Sequence, residues 1–136
     1  MTDLSSISSP TSVLVVDDDD FALESMCEAL APLKLASIAT AADGLAALRH
    51  INSSPQPPDV LICDVYMPNM DGLEFLDKLA QQQFKGGIIL VSGINIEMLG
   101  MARQIAMGSG LQLLGAFTKP VAQSQLWAAM GLTPEV

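Results

Sequence analysis

The stretch LICDVYMPNMDGLEF, residues 61–75, changes period in its middle, and that change decides the fold. Its left half continues the apolar run at 60–63 and stops at a carboxylate, Asp64. Its right half, after a Pro- and Gly-bearing turn, opens the spacing Leu73, Phe75, Leu76, Leu79, which places apolar side chains on one helical face. A strand, a turn and a helix are therefore expected in that order. Working outward, apolar runs of strand length recur at 13–16, 35–39, 88–91 and 113–117. Between them lie helical spacings such as Phe21, Leu23, Met26, Cys27 and Leu30, and then Leu45, Leu48 and Ile51. Runs that are apolar on successive residues are buried on both faces, which argues for a parallel sheet covered by helices on both sides. The class is doubly wound α/β with five strands.

The remaining composition bounds what such a domain can do. With 136 residues, 50% hydrophobic and 15% charged, the chain has material for one domain with a sizeable core. We expect a loose Ser/Thr/Pro-rich leader at 1–11, the domain at 12–132 and a tail or truncated linker at 133–136. A net charge of −9 repels phosphate backbones and anionic membrane surfaces, so direct nucleic-acid and membrane binding are not expected. The opening residues have neither a basic nor an apolar signal region, and no apolar run reaches the ~18–20 residues of a membrane span. Cytoplasmic localisation follows as the expectation, with Cys27 and Cys63 as buried, reduced thiols. His50 is the sole histidine; it falls at a helix end and is expected on the surface, so a multi-histidine metal site is excluded.

In doubly wound sheets, ligands bind beyond the carboxyl ends of the strands. Those ends carry Asp17-Asp18-Asp19-Asp20, Asp64, Ser92-Gly93 and Thr118-Lys119-Pro120. Each has a bland reading. The acidic run suits a solvated turn in which Asp19 or Asp20 caps a helix, Ser92 suits another cap, and Lys-Pro suits a rigid turn. Taken together they supply a carboxylate nucleophile, hard oxygen ligands for Mg²⁺ or Mn²⁺, a hydroxyl and an ammonium, the parts needed to take up and hold a phosphoryl group.

The strings VLVVDDDD (13–20), DVYMPNMDG (64–72), ILVSG (89–93) and FTKP (117–120) resemble, in order and spacing, the receiver domains of two-component response regulators. The resemblance covers 12–132 and implies a flavodoxin-like strand order 2-1-3-4-5. It implies that Asp64 accepts phosphate from a sensor histidine kinase or phosphotransfer protein. Asp18 and Asp64 would ligate Mg²⁺ directly, Asp17 largely through water, and the Tyr66 carbonyl would be a further ligand. Ser92 and Lys119 would bind phosphoryl oxygens, while Met67-Pro68 and Asp71-Gly72 would only shape the turn into the third helix. It further implies self-catalysed phosphotransfer and dephosphorylation rather than an enzyme of conventional type. GLQLLGAFTKP (110–120) resembles a narrower set, receivers joined to EAL-type cyclic-di-GMP phosphodiesterase domains.

Where receivers often carry a rotating aromatic, three residues before the lysine, this chain has Ala116. Phe117 is one step away and is expected on the opposite face of the sheet. The resemblance implies that Tyr66 and Ile94, two residues after the acceptor and two after Ser92, flank the path of hydrolytic water; neither carries a group suited to orienting it, so slow loss of phosphate is expected. Apolar residues surround much of the helix expected near 94–107; beyond the face that meets the sheet, they read equally as helix formers packed on the neighbouring helix or as a partner surface for an output domain or a homodimer. A flavodoxin-like electron carrier would need a phosphate-binding loop where the aspartates stand. A haloacid-dehalogenase-like hydrolase would need an acid at Tyr66. A degenerate receiver used only for docking would not need the complete set of site residues.

Overall fold

The strands form where β-branched and leucine residues run consecutively, and all of them meet in one parallel sheet. In the computed structural model, residues 11–67, 70–93 and 96–132 are described. The expected leader residues 1–10, the tail 133–136, Pro68, Asn69, Ile94 and Asn95 lie outside them. The strands are β1 (Ser12–Val16), β2 (Ser37–Ala41), β3 (Val60–Asp64), β4 (Gly87–Ser92) and β5 (Gln112–Thr118), in the spatial order β2-β1-β3-β4-β5. The helices are α1 (Asp20–Leu30), α2 (Gly44–Ser53), α3 (Gly72–Gln81), α4 (Ile96–Gly108) and α5 (Gln123–Met130). Class and strand order match the sequence expectation.

Val13, Leu14, Val15 and Val16 of β1, and every residue of β3 and β4, are buried, because these inner strands have a neighbour on each side and helices above and below. Leu14, Val16, Leu61, Cys63, Ile88 and Leu90 face the layer of α2, α3 and α4, where Phe75, Leu76 and Leu79 of α3 pack onto them. Val13, Val15, Val60, Ile62, Ile89 and Val91 face α1 and α5, under Leu30 and Leu126. Each strand thus divides its apolar residues between two cores.

The edge strands depart from the expected boundaries. β2 starts at Ser37 rather than at 35, because a 3-10 turn at Ala31–Leu33 and a left-handed Lys34 (φ 51°) reverse the chain first. Its pairing with β1, from Ser12 with Ser37 to Val16 with Ala41, then sets the span. β5 pairs Ile88 with Leu113 but Ile89 with Gly115, so a bulge at Leu114 resets its face alternation. Two helical residues are also corrected. Phe21 (75% exposed) and Leu45 (43%) share the helical spacing but point to solvent. Cys27 is half-buried rather than buried, whereas Cys63 is buried as expected and His50 is exposed.

Candidate functional site

Three of the carboxylates converge because β1 and β3 are adjacent and parallel. Val16 pairs with Cys63, so Asp17 and Asp64 leave the same sheet edge side by side. Both are buried, while Asp18 is exposed. Carboxylate oxygens of Asp17, Asp18 and Asp64 all lie within 4.8 Å of one another. β4 pairs Val91 with Asp64 and β5 pairs Thr118 with Ser92, which brings buried Ser92 and then Lys119 to the same edge. The Lys119 N–H donates to the Ser92 carbonyl (2.9 Å), tying the two strand ends together.

Lys119 Nζ bridges the cluster, donating to Asp17 Oδ2 at 2.7 Å and to Asp64 Oδ2 at 3.1 Å. Asp64 Oδ1 accepts from the Tyr66 N–H (3.0 Å), and Asp17 Oδ1 accepts from the Asp19 N–H (3.0 Å). Both are tight loops in which an aspartate takes the amide two residues on, so local sequence already aims these side chains. Burial raises the Asp64 carboxyl above its ordinary value and the charge of Asp17 adds to the rise, opposed in part by the Tyr66 N–H and Lys119. Burial would lower Lys119, but its hydrogen bonds and ion pairs with Asp17 and Asp64 outweigh this and hold the ammonium above the usual lysine value. Three carboxylates facing one ammonium leave excess negative charge in a partly desolvated niche. Ligand oxygens around an octahedral Mg²⁺ lie about 3–4 Å apart, so this group fits a hard divalent ion with small side-chain shifts.

Two further aspartates, Asp19 and Asp71, are helix caps. Asp19 is the N-cap of α1, its carboxylate accepting from Phe21 N–H (3.2 Å); of the two caps proposed, Asp19 fills the role. Asp71 caps α3 through Glu74 N–H (2.9 Å). Gly72 lies so close to the chain after Asp64 that a Cβ there would sit 2.7 Å from the Val65 Cα and carbonyl oxygen; its N–H donates to that carbonyl. Asp71-Gly72 therefore shapes the turn, as expected. Tyr66 is 58% exposed and contributes its N–H to Asp64. The Lys119–Pro120 peptide is cis.

Sequence reasoning missed the Lys119 bridge, which depends on three separate strand ends. It also missed a groove of about 380 Å³ beside the site, between α1 and the start of α5, where exposed Phe21 meets Met26, Val121 and Leu126. The exposure of Phe21 is the one signal that could have suggested it, and sequence periodicity concealed that exposure.

A family model described as response regulator receiver domain matches residues 13–130. Among curated proteins, the chain is 38% identical over 90 residues to protein-glutamate methylesterase/protein-glutamine glutaminase 5 of Myxococcus xanthus, covering 65% of this chain and 25% of that protein. It is 28% identical over 87 residues to the DNA-binding transcriptional activator EvgA of Escherichia coli K12, covering 64% and 42% respectively. The chain thus spans a quarter to under half of these relatives. Among solved structures, it is similar to the Vibrio cholerae chemotaxis protein CheY4, with a TM-score of 0.73, 26% identity and coverage of 90% and 98%. A response regulator from Colwellia psychrerythraea gives a TM-score of 0.74 at 27% identity, with coverage of 90% and 95%.

Proposed function

The chain belongs to the response regulator receiver domain family, and on that premise we propose that it takes up a phosphoryl group on Asp64 from a histidine kinase or phosphotransfer protein. The convergence of Asp17, Asp18, Asp64 and Lys119 at one sheet edge is the observation that carries this reading. A carboxylate oxygen of Asp64 attacks the phosphorus of a phosphohistidine; the P–O bond forms as the P–N bond breaks, and the imidazole leaves with the bonding pair and takes up a proton. Lys119 leaves its bridge between the carboxylates to pair with a phosphoryl oxygen, and the Ser92 hydroxyl donates to another. Asp17, Asp18 and Asp64, with the Tyr66 carbonyl, are the groups that would hold Mg²⁺ or Mn²⁺. The bound ion would offset the negative charge shared by the phosphoryl oxygens and the carboxylates.

Among the described residues no helix is long and apolar enough to cross a membrane. A cytoplasmic site of action belongs to the same proposal. Output is proposed to pass to an attached or separate partner, and the EAL-like wording at 110–120 names one candidate class. Exposed Ile96, Met101 and Met107 on α4 support that helix as a standing contact face, for the partner or for a second copy, whose apolar surface is present with or without phosphate.

Mg²⁺ and acetyl phosphate treatment followed by intact-mass measurement tests the reading. One phosphate adduct that needs the divalent ion and disappears in Asp64→Asn supports it. An adduct that survives Asp64→Asn, or no adduct in the native chain, refutes it.

A further inference from the structure

Resting on the phosphoacceptor reading, we propose that the state of the phosphate site is relayed through Phe117 to α5 and the α1–α5 seam, and not to the α4 face. The starting point is the division of β5 between the two cores. Ala116 belongs with the α2, α3 and α4 layer, and Phe117 with the α1 and α5 layer. On the α4 side, the strand offers the Ala116 methyl and, beside Ser92, the small exposed Thr118, neither of them a ring that could register a rotation. On the α5 side it offers an aromatic ring.

That ring has a built seat. Two residues apart on a regularly paired stretch, Gly115 shares the face of Phe117, and a Cβ at Gly115 would sit 2.8 Å from the Phe117 ring and 3.5 Å from Ala129 of α5. The absent side chain is what lets the ring lie along the strand against α5. Phe117 is also close to the chemistry along the chain. Its pairing partner Val91 precedes Ser92, and Lys119, two residues on, donates its N–H to the Ser92 carbonyl and its ammonium to Asp17 and Asp64. Ends of β4 and β5 therefore shift together when Ser92 and Lys119 turn to a phosphoryl group.

At the far end of the relay, α5 is fastened to α1 by two hydrogen bonds to one acceptor. Trp127 Nε1 donates to the Ala29 carbonyl at 3.0 Å, and Gln123 Nε2 donates to the same oxygen at 3.1 Å. An acceptor shared by two donors on successive turns of α5 loosens or tightens both when that helix slides. Among the described residues, this is the point where a small movement of β5 becomes a change in helix-to-helix attachment.

The test uses the full chain with Mg²⁺ and acetyl phosphate, reading intact mass, amide hydrogen exchange of α4 and α5, and emission of Trp127, the sole tryptophan. Expected on phosphorylation is a change of about threefold or more in α5 exchange, with a shift in Trp127 emission and little change in α4. Phe117→Ala should keep phosphate uptake and lose the α5 response; Phe117→Leu, which preserves most of the packing, should weaken it. Gly115→Ala, pushing the ring without touching the site, should move α5 exchange toward the phosphorylated pattern with no phosphate present. An adduct with α5 silent, a response confined to α4, or an α5 response that survives Phe117→Ala overturns the relay while leaving the phosphoacceptor reading intact. Absence of any adduct overturns that reading, and the relay with it.

Discussion

Asp64 is held where burial opposes its charge, so its ionisation and ion binding are linked. Its folded value is raised, and the stability associated with the protonated form is therefore present at low pH and lost as pH rises through that raised value. A divalent ion held by the ionised cluster would add stability above that value and progressively less below it. We predict that Mg²⁺ at ~100 times its dissociation constant stabilises the chain by about 2.7 kcal/mol at neutral pH. Thermal melts should show the gain shrinking through the acid range and failing to appear in Asp17→Asn. A gain independent of pH would contradict the coupling. Exposed Tyr66 neighbours the acceptor without a group suited to orienting water; Tyr66→Asn should therefore hasten phosphate loss by about tenfold, near 1.4 kcal/mol of barrier, in a phosphate-release time course. The thiols provide an independent check of burial. Desolvation, with the charges of Asp64 and Asp17, pushes the Cys63 thiol far above its ordinary value, and half-buried Cys27 is raised less. A thiol reagent should modify Cys27 alone in the folded chain and both after denaturation. The strand ends nominated the acidic run at 17–20, Asp64, Ser92 and Lys119 by residue type and position, and the family resemblance singled out Asp17 and Asp18 within that run. The bridge made by Lys119 was not legible there, because it is a distance between side chains from β1, β3 and β5.

Among the elements, inner strands were legible and edges were not. β3 and β4 are apolar throughout because both faces are covered, a pattern that survives in sequence. β2 and β5 are half-covered, so their limits follow from register with a neighbour and from a bulge, neither of which has a local signature. Phe21 misled for a related reason: helical spacing reports a face, and only packing reports what lies against it. Glycines separate positions that merely permit a helix from those that build the site. At Gly100, in α4, a Cβ would meet nothing within 4 Å, so Gly100→Ala should stabilise by about 0.5–1 kcal/mol. Gly72 has the backbone of Val65 within 2.7 Å of the same position, and Gly72→Ala should destabilise by about 1–3 kcal/mol and weaken phosphate uptake by moving the turn after Asp64. Paired denaturant titrations decide this; equal effects at the two positions would be inconsistent with the backbone contact.

At the scale of the molecule, one sheet with two cores turns four separated strand ends into one acidic niche with a single bridging lysine. The helix layers on the two faces differ in what they can sense, since β5 presents Ala116 to one and Phe117 to the other. The central claim is chemical and local: Asp64 carries the phosphoryl group. Borohydride reduction of the phosphorylated chain, followed by peptide mapping, tests it most directly, because an acyl phosphate is reduced to the alcohol and leaves homoserine in place of aspartate. Homoserine is expected at position 64, dependent on Mg²⁺ during phosphorylation and absent from untreated protein. Homoserine at Asp17, Asp18 or any other aspartate, with position 64 unchanged, would contradict it.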